Sequence, residues 1–499
     1  MTDWNQGNMR DMPASAPEPA VSGQSAEPAT SARAAANPAA SGKQAGPARA
    51  GRPAGRSAGR RTIARWREYG VRAFAVLMLV GGFVGLLFFA RPTVSAVEQR
   101  NLTAFPDFTM QRFLDGSFFS DLSLWYADTY PLREPLVQAD HGIERLYGIQ
   151  PETQLVGGNV RADEIPVAGN GDDASAAAPV LEQRTAVEPP SPQEMQANIQ
   201  ANVMNGLYVD GDRACSVYYF NQSAVDSYCA ALNACAQELG DDATVYSVLI
   251  PNNSGALLDE GVLAGLGGSD QKQSLDYFHS RMDERIRAVE TYDALRAHRD
   301  EYIYFRTDHH WTQLGAYYAY EQLCEKRGVE PANIESWQQI DNGPFLGTFY
   351  SELQLASMAA NPDTAHAYIP TSTNDMTYWD ASGAETQTNV VLNGVEAGYG
   401  ENAMYLCFIA GDQYLSKISN PTKSDGSACL LVKDSYGCAF APLLVDDYET
   451  VWIIDFREYD KSIPAFVREN GIQDVIFLNN MTIAGTDGVG DGLMQLMTP

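Results

Sequence analysis

The chain has 499 residues, enough for two or three domains of ordinary size, and 45% of them are apolar, ample for a buried core. The net charge is −29, yet residues 1–92 hold 12 Lys or Arg against 5 Asp or Glu, which leaves 22 of the 34 basic and 58 of the 63 acidic side chains to the remainder. So acidic a main domain excludes nucleic-acid binding as its work, and its charges read first as a solvated surface.

Residues 1–70 are rich in Ala, Pro, Ser and Gly with few large apolar side chains, so a disordered basic tail is expected there. Arg49, Arg52, Arg56, Arg60, Arg61, Arg65, Arg67 and Arg72 then precede residues 73–90, an uncharged stretch containing FAVLMLVGGFVGLLFFA. About 18 such residues just span a bilayer, and a basic excess on the N-terminal flank keeps that side cytoplasmic. A transmembrane helix is therefore expected over 71–92, making the chain a single-pass protein of the cell membrane with its C-terminal domain outside. A cleaved signal peptide competes with this, because Val94-Ser95-Ala96 has the spacing a signal peptidase accepts. The long leader ahead of the apolar stretch speaks against cleavage.

Residues 93–156 read as a helical lead-in packed on the main domain, with Trp125, Tyr126 and Leu132 as apolar anchors. Residues 157–195, dominated by Gly, Asp, Ala and Pro, form a low-complexity insert expected to lack structure. Residues 196–499 make the main domain. Its first part, ANVMNGLYVDGDRACSVYYF, reads as short strands, followed by a helix over 223–240. From Asp242 strands and helices alternate, the pattern of an α/β fold whose mainly parallel sheet is covered on both faces. Strands are expected over 245–250, 302–305, 428–432, 451–454 and 475–478. Each ends in polar residues: Asn252 and Asn253; Thr307, Asp308 and His310; Lys433, Asp434 and Ser435; Asp455 and Arg457; Asn479 and Asn480. Ligands of such sheets bind beyond the C-terminal strand ends, so these ends mark the expected site.

Within Arg306-Thr307-Asp308-His309-His310-Trp311-Thr312, Asp308 and His310 stand two apart. In extended chain both project to one side, so the carboxylate can orient the imidazole. Ser435 follows a buried-looking strand at a tight turn into a helix, the layout that exposes a nucleophilic hydroxyl, although serine is also a common helix cap. Asp308, His310 and Ser435 are thus the candidate catalytic residues. Tyr436 through its amide, Asn479 through its side chain and Arg457 are candidate oxyanion or substrate-binding groups; packing, loop capping and pairing of Arg457 with Asp455 or Glu458 are the plainer readings. His309 should point away from His310 and pack. Trp311 reads as core, with a sugar-stacking platform as the alternative. Adjacent histidines after an aspartate also occur in manganese phosphoesterases, but no Asp-x-Asp stands at a strand end, so no metal and no cofactor is expected. None of the seven cysteines shows Cys-x-x-Cys spacing; Cys429 and Cys438, which bracket Ser435, read as buried thiols.

The motif TDHHWT followed by GAYYAY resembles the signature of the DHHW proteins. These are similar to the alginate O-acetyltransferase proteins of the SGNH-hydrolase-like superfamily. The likeness extends to SAVEQRNLTAFPDF, YADTYPLREPL, GTFYSEL, LLVKDSYGCAFAPLL and IIDFREYDKSI. It implies an SGNH-hydrolase-like three-layer domain, a triad at Asp308, His310 and Ser435, and an Arg facing the site at Arg457. It also implies serine-dependent O-acetylation of a cell-surface or secreted polysaccharide, with a polytopic membrane acyltransferase as acyl donor. Acetyl-ester hydrolysis and a catalytically idle wall-associated binding role are the alternatives. One departure stands out: the superfamily often has Gly two residues before the serine, where this chain has Lys433.

Overall fold

The computed structural model describes residues 190–497 without a break, together with parts of 69–130, 153–166 and 179–180. Two units divide the chain, Met1–Gly81 and Gly82–Pro499. In the first, the described residues between 69 and 80 are helical, and Phe74, Val76, Leu79 and Val80 are exposed. Among the described residues no helix is long and apolar enough to cross a membrane. The expected tail lies outside the described residues, as does most of the expected span over 71–92.

In the second unit a short antiparallel pairing of Val94–Ser95 with Arg100–Asn101 precedes helices α1 (Met110–Asp115) and α2 (Ser117–Asp128). Strand β1 (Thr153–Gly157) pairs antiparallel with β2 (Gly206–Asp210), and β2 with β3 (Arg213–Ser216). Between them runs α3 (Pro192–Val203), opened by a capping box in which Ser191 accepts from Glu194 N and the Glu194 carboxylate accepts from Ser191 N. The segment expected to lack structure over 157–195 is therefore partly ordered. Ile165 and Val180 pack against the core, Asp163 N donates to Phe220 O and Val180 N to Arg281 O. A few apolar residues with backbone partners dock a segment that composition alone marks as loop.

After α4 (Gln222–Leu239) come β4 (Thr244–Ile250), β5 (Ile286–Val289) and α5 (Gln313–Arg327). Then follow a hairpin of β6 (Gln338–Phe345) and β7 (Asp363–Ile369), with α6 (Thr348–Leu353) between them, and β8 (Asp375–Trp379), β9 (Glu385–Asn389) and β10 (Leu415–Ser419). The chain continues through β11 (Ala428–Lys433), α7 (Gly437–Phe440), β12 (Thr450–Asp455) and β13 (Asp474–Asn480). The main sheet is eight-stranded, ordered β9-β8-β10-β12-β11-β13-β4-β5. From β12 to β5 all pairs are parallel; β9, β8 and β10 add antiparallel at one edge.

Central strands buried on both faces must be apolar at every position, which is why Cys429-Leu430-Leu431-Val432 reads as a continuous run. Alternate residues serve opposite cores. Leu430, Val432, Val475, Phe477 and Leu249 face the side covered by Val225, Tyr228, Leu232 and Cys235 of α4. Cys429, Leu431, Ile476, Leu478 and Val248 face Ala316, Ala319, Tyr320 and Leu323 of α5. Full burial of one such large side chain contributes about 1.5–3 kcal/mol. All seven cysteines are buried and unpaired.

The run at 302–305 departs from expectation. It is no strand of the sheet: Tyr304 makes an isolated antiparallel bridge to Trp311, Phe305 N donates to His310 O and Thr312 N to Ile303 O. The chain folds back tightly, and the apolar side chains are buried by packing rather than by a ladder. Thr312 then caps α5 by accepting from Gly315 N. Gly315 is required there, since a Cβ would fall 2.3 Å from Ile303 O.

Candidate active site

The C-terminal ends of β11, β13 and β4 lie side by side, and the fold-back at 306–310 reaches them because Trp311 is clamped beneath. Its indole Nε1 donates to Tyr436 O at 2.9 Å and its ring has no exposed surface, which leaves it no sugar platform. His310 Nε2 stands 2.7 Å from Ser435 Oγ, and His310 Nδ1 2.6 Å from Asp308 Oδ1.

Asp308 and His310 do not sit in extended chain. The residues between 306 and 310 form bends, and Asp308 Oδ1 also accepts the backbone N–H of His310 at 2.9 Å, so a turn holds carboxylate and imidazole together. The other oxygen, Oδ2, accepts Thr348 N at 2.8 Å and Thr348 Oγ1 at 3.0 Å at the start of α6. Burial alone would raise the Asp308 carboxyl, but the facing His310 and His309 rings and these hydrogen bonds hold it well below the usual carboxylate range.

His309 differs from expectation. Instead of turning away, it stands beside His310 with ring centroids 3.8 Å apart, and its Nδ1 is 2.8 Å from Thr348 Oγ1. Burial and the neighbouring His310 push it down to about 3, so it stays neutral. The tight turn leaves no room for the alternation that extended chain would impose.

The three expected auxiliary groups are otherwise engaged. The Tyr436 amide donates to Asp434 Oδ1 at 2.9 Å, so it is not open to an oxyanion. The Asn479 side chain is fully buried, accepting from Tyr228 Oη at 2.8 Å and donating to Asp434 Oδ2 at 3.3 Å. Arg457 Nε and Nη2 lie 2.8 Å and 2.6 Å from the Asp455 oxygens, Nη2 is 2.7 Å from Asp412 Oδ2, and Nη1 donates to Gln196 at 3.1 Å. Arg457 thus belongs to a buried ionic cluster completed by Lys433, whose Nζ contacts Asp412 and, at 3.0 Å, Asp455. Within that cluster Lys433 is the residue two before Ser435. Gly437 makes room for it: a Cβ at 437 would fall 2.4 Å from Lys433 Cβ.

Two donors remain open at this end of the sheet. The Ser435 N–H has no acceptor among the described residues. Asn252 Nδ2, just past β4, is buried without a partner, while its Oδ1 accepts from Asn480 and Thr482. Asn480 N in turn donates to Asp434 Oδ2 at 2.9 Å. Burial pushes the Asp434 carboxyl up to about 6 against the opposing pull of Arg457 and these hydrogen bonds.

Two further contacts escape sequence reading. Tyr405, from the 3-10 helix Glu401–Cys407, stacks on His310, and Thr348 secures Asp308. Nothing in the local sequence marks Tyr405; Gly347 and Thr348 lie in the GTFYSEL stretch. Gly347 allows the approach, since a Cβ there would fall 2.2 Å from Asp308.

The DHHW protein family model matches residues 98–177 and 173–454. The chain belongs to the DHHW protein family. A crystal structure of a DHHW family protein from Eubacterium siraeum is similar at 28% identity and a TM-score of 0.52, covering 58% of this chain and 94% of its own. Bacillus cereus PatB1 is similar at 21% identity and a TM-score of 0.49, with 57% and 98% covered. The O-acetyltransferase domain of Pseudomonas putida AlgJ is similar at 12% identity and a TM-score of 0.34, with 55% and 90% covered. None of the curated proteins matches the chain.

Proposed function

We propose that this DHHW protein is a membrane-anchored, extracytoplasmic serine O-acyltransferase that acetylates hydroxyl groups of a cell-surface or secreted polysaccharide. The observation that carries the reading is the relay from Asp308 through His310 to Ser435, with contacts of 2.6 Å and 2.7 Å. Ser435 Oγ attacks the acyl carbonyl as His310 Nε2 takes its proton, and Asp308 stays ionised to balance the imidazolium. The Ser435 N–H and Asn252 Nδ2 are the donors assigned to the oxyanion. Collapse expels the donor's leaving group with the proton from His310 and leaves acyl-Ser435. A sugar hydroxyl then attacks, passes its proton to His310, and departs as the ester while Ser435 regains its hydrogen. The donor is expected to be served by a polytopic membrane acyltransferase.

Incubation with a chromogenic acetyl ester tests the chemistry. Release of chromophore with an acetyl mass on Ser435, absent in Ser435→Ala, is expected; neither release nor adduct from folded protein would leave only a binding role. Adding an oligosaccharide acceptor separates transfer, which yields acetylated sugar, from hydrolysis, which yields acetate.

Asp308, His309 and His310 also bring possible metal-ligand atoms within 4.8 Å of one another. Using them so would break the contacts that define the relay. Activity abolished by chelation and restored by manganese or zinc would favour the phosphoesterase reading instead.

A further inference from the structure

The large apolar side chains of α1, α2 and the segment before them are exposed: Phe105 is 59%, Phe108 61%, Met110 66%, Phe113 42% and Phe119 51% accessible. The rings of Phe108, Phe113, Phe118 and Phe119 are joined rather than scattered. Phe108 meets Phe113 at 5.8 Å and Phe118 edge-on at 5.3 Å, and Phe113 meets Phe119 at 5.2 Å between ring centroids. A contiguous aromatic face of this kind marks a surface that something covers.

Arg91 indicates what covers it. This residue comes directly after the apolar stretch 73–90, and its guanidinium lies 4.1 Å over the Trp125 ring and 5.3 Å from that of Tyr126. Its Nη1 donates to Thr129 Oγ1 at 3.0 Å. Helix α2 therefore grips the first residue beyond the stretch read as the membrane span, and Arg, Trp and Tyr are the residues that populate the boundary between lipid and water. Phe105 meets the same Trp125 ring edge-on at 4.8 Å, which sets the Phe face beside that residue.

We propose that the face formed by Phe105, Phe108, Met110, Phe113 and Phe119 lies in the headgroup layer of the outer leaflet, seating the catalytic domain on the bilayer. This rests on the reading of residues 73–90 as an anchor. Because the domain is strongly acidic, apolar insertion rather than attraction to anionic lipid holds it there.

The test uses the full chain in phosphatidylcholine vesicles. Every native cysteine is buried, so Met110→Cys, Phe108→Cys or, as a distant control, Val395→Cys each takes one fluorophore selectively. Lipids brominated near the headgroup should remove most of the fluorescence at 110 and 108 and leave 395 unchanged. A chain that fails to float with vesicles overturns the anchor and this proposal together. A chain that floats while the labels at 110 and 108 stay as bright and as water-accessible as that at 395 overturns the proposal alone. Labels shielded from water but untouched by brominated lipid point to a protein partner and overturn the lipid assignment.

Discussion

The ring of Tyr405 lies flat against the imidazole of His310, centroids 4.0 Å apart and planes 12° from parallel, while its hydroxyl donates to Ser435 O at 3.0 Å. One side chain thus registers the base against the backbone of the nucleophile. Tyr405→Phe keeps the stack and loses one hydrogen bond, so kcat should fall by less than about tenfold. Tyr405→Ala frees the ring and should cost about 10–100-fold in kcat with KM little changed. Steady-state kinetics on an acetyl ester reads both.

Ser435→Ala and His310→Ala should each lower kcat by roughly 10,000-fold or more, and the double variant by little more than either, because nucleophile and base act as a unit. His309→Ala should cost only about tenfold, since His309 packs beside His310 and reaches Thr348 but makes no hydrogen bond to Ser435. A double variant whose loss equals the product of the two single losses would show that the residues work independently.

Gly347→Ala places a Cβ 2.2 Å from Asp308. The overpacking should destabilise the fold by about 1–3 kcal/mol and tilt the carboxylate away from His310, lowering activity as well as the melting temperature. Thr348→Ala, which keeps the amide and removes one hydroxyl, should cost about 1 kcal/mol. Thermal melts with parallel rate measurements separate the two.

Lys433→Met removes one cation from a cluster of two cations and two carboxylates, of which Lys433, Arg457 and Asp455 are buried and Asp412 is partly exposed, and leaves Asp455, itself without exposed surface, facing Arg457 alone. Breaking a buried pair in this way costs about 3–5 kcal/mol. Chemical denaturation should show the loss, and a variant as stable as the parent would mean that the cluster adds nothing to the fold.

Asp434 has a folded pKa raised by burial to about 6, above the ordinary carboxylate value. The folded state therefore binds the proton more tightly than the unfolded one. The stability this contributes is complete below about pH 4 and is lost as pH rises through about 6. Compared with Asp434→Asn, which cannot titrate, the parent should gain about 2 kcal/mol between pH 7 and pH 4. Melting temperatures of both proteins across that range give the difference directly.

Much of the sheet could be read from residues alone. The cores of β11, β12 and β13, and that of β4 apart from the buried Ser247, are apolar at consecutive positions because both faces are covered, and polar residues begin where each strand leaves the sheet. The run at 302–305 shows the limit, since apolarity reports burial and not pairing. The spacing of Asp308 and His310 pointed to their contact, although a turn and not extended chain brings it about. Arg457, Tyr436 and Asn479 are engaged by protein partners for a shared physical reason. A polar group at a buried strand end needs a partner, and which partner it finds is decided by chain distant in sequence. Tyr405 reaches the site from a 3-10 helix that carries no periodicity or motif, and Thr348 from the start of α6, where no local spacing reveals its contact with Asp308.

Strand β13 is the last of the sheet in sequence, yet it lies between β11 and β4. Until it is synthesised, β4 and β5 have no ladder to the rest, and Asp434 beside Ser435 lacks the amide of Asn480. A growing chain therefore carries two sheet fragments with an open seam and no finished active site. The last strand to be made is thus the one that closes the sheet and completes the surroundings of Asp434.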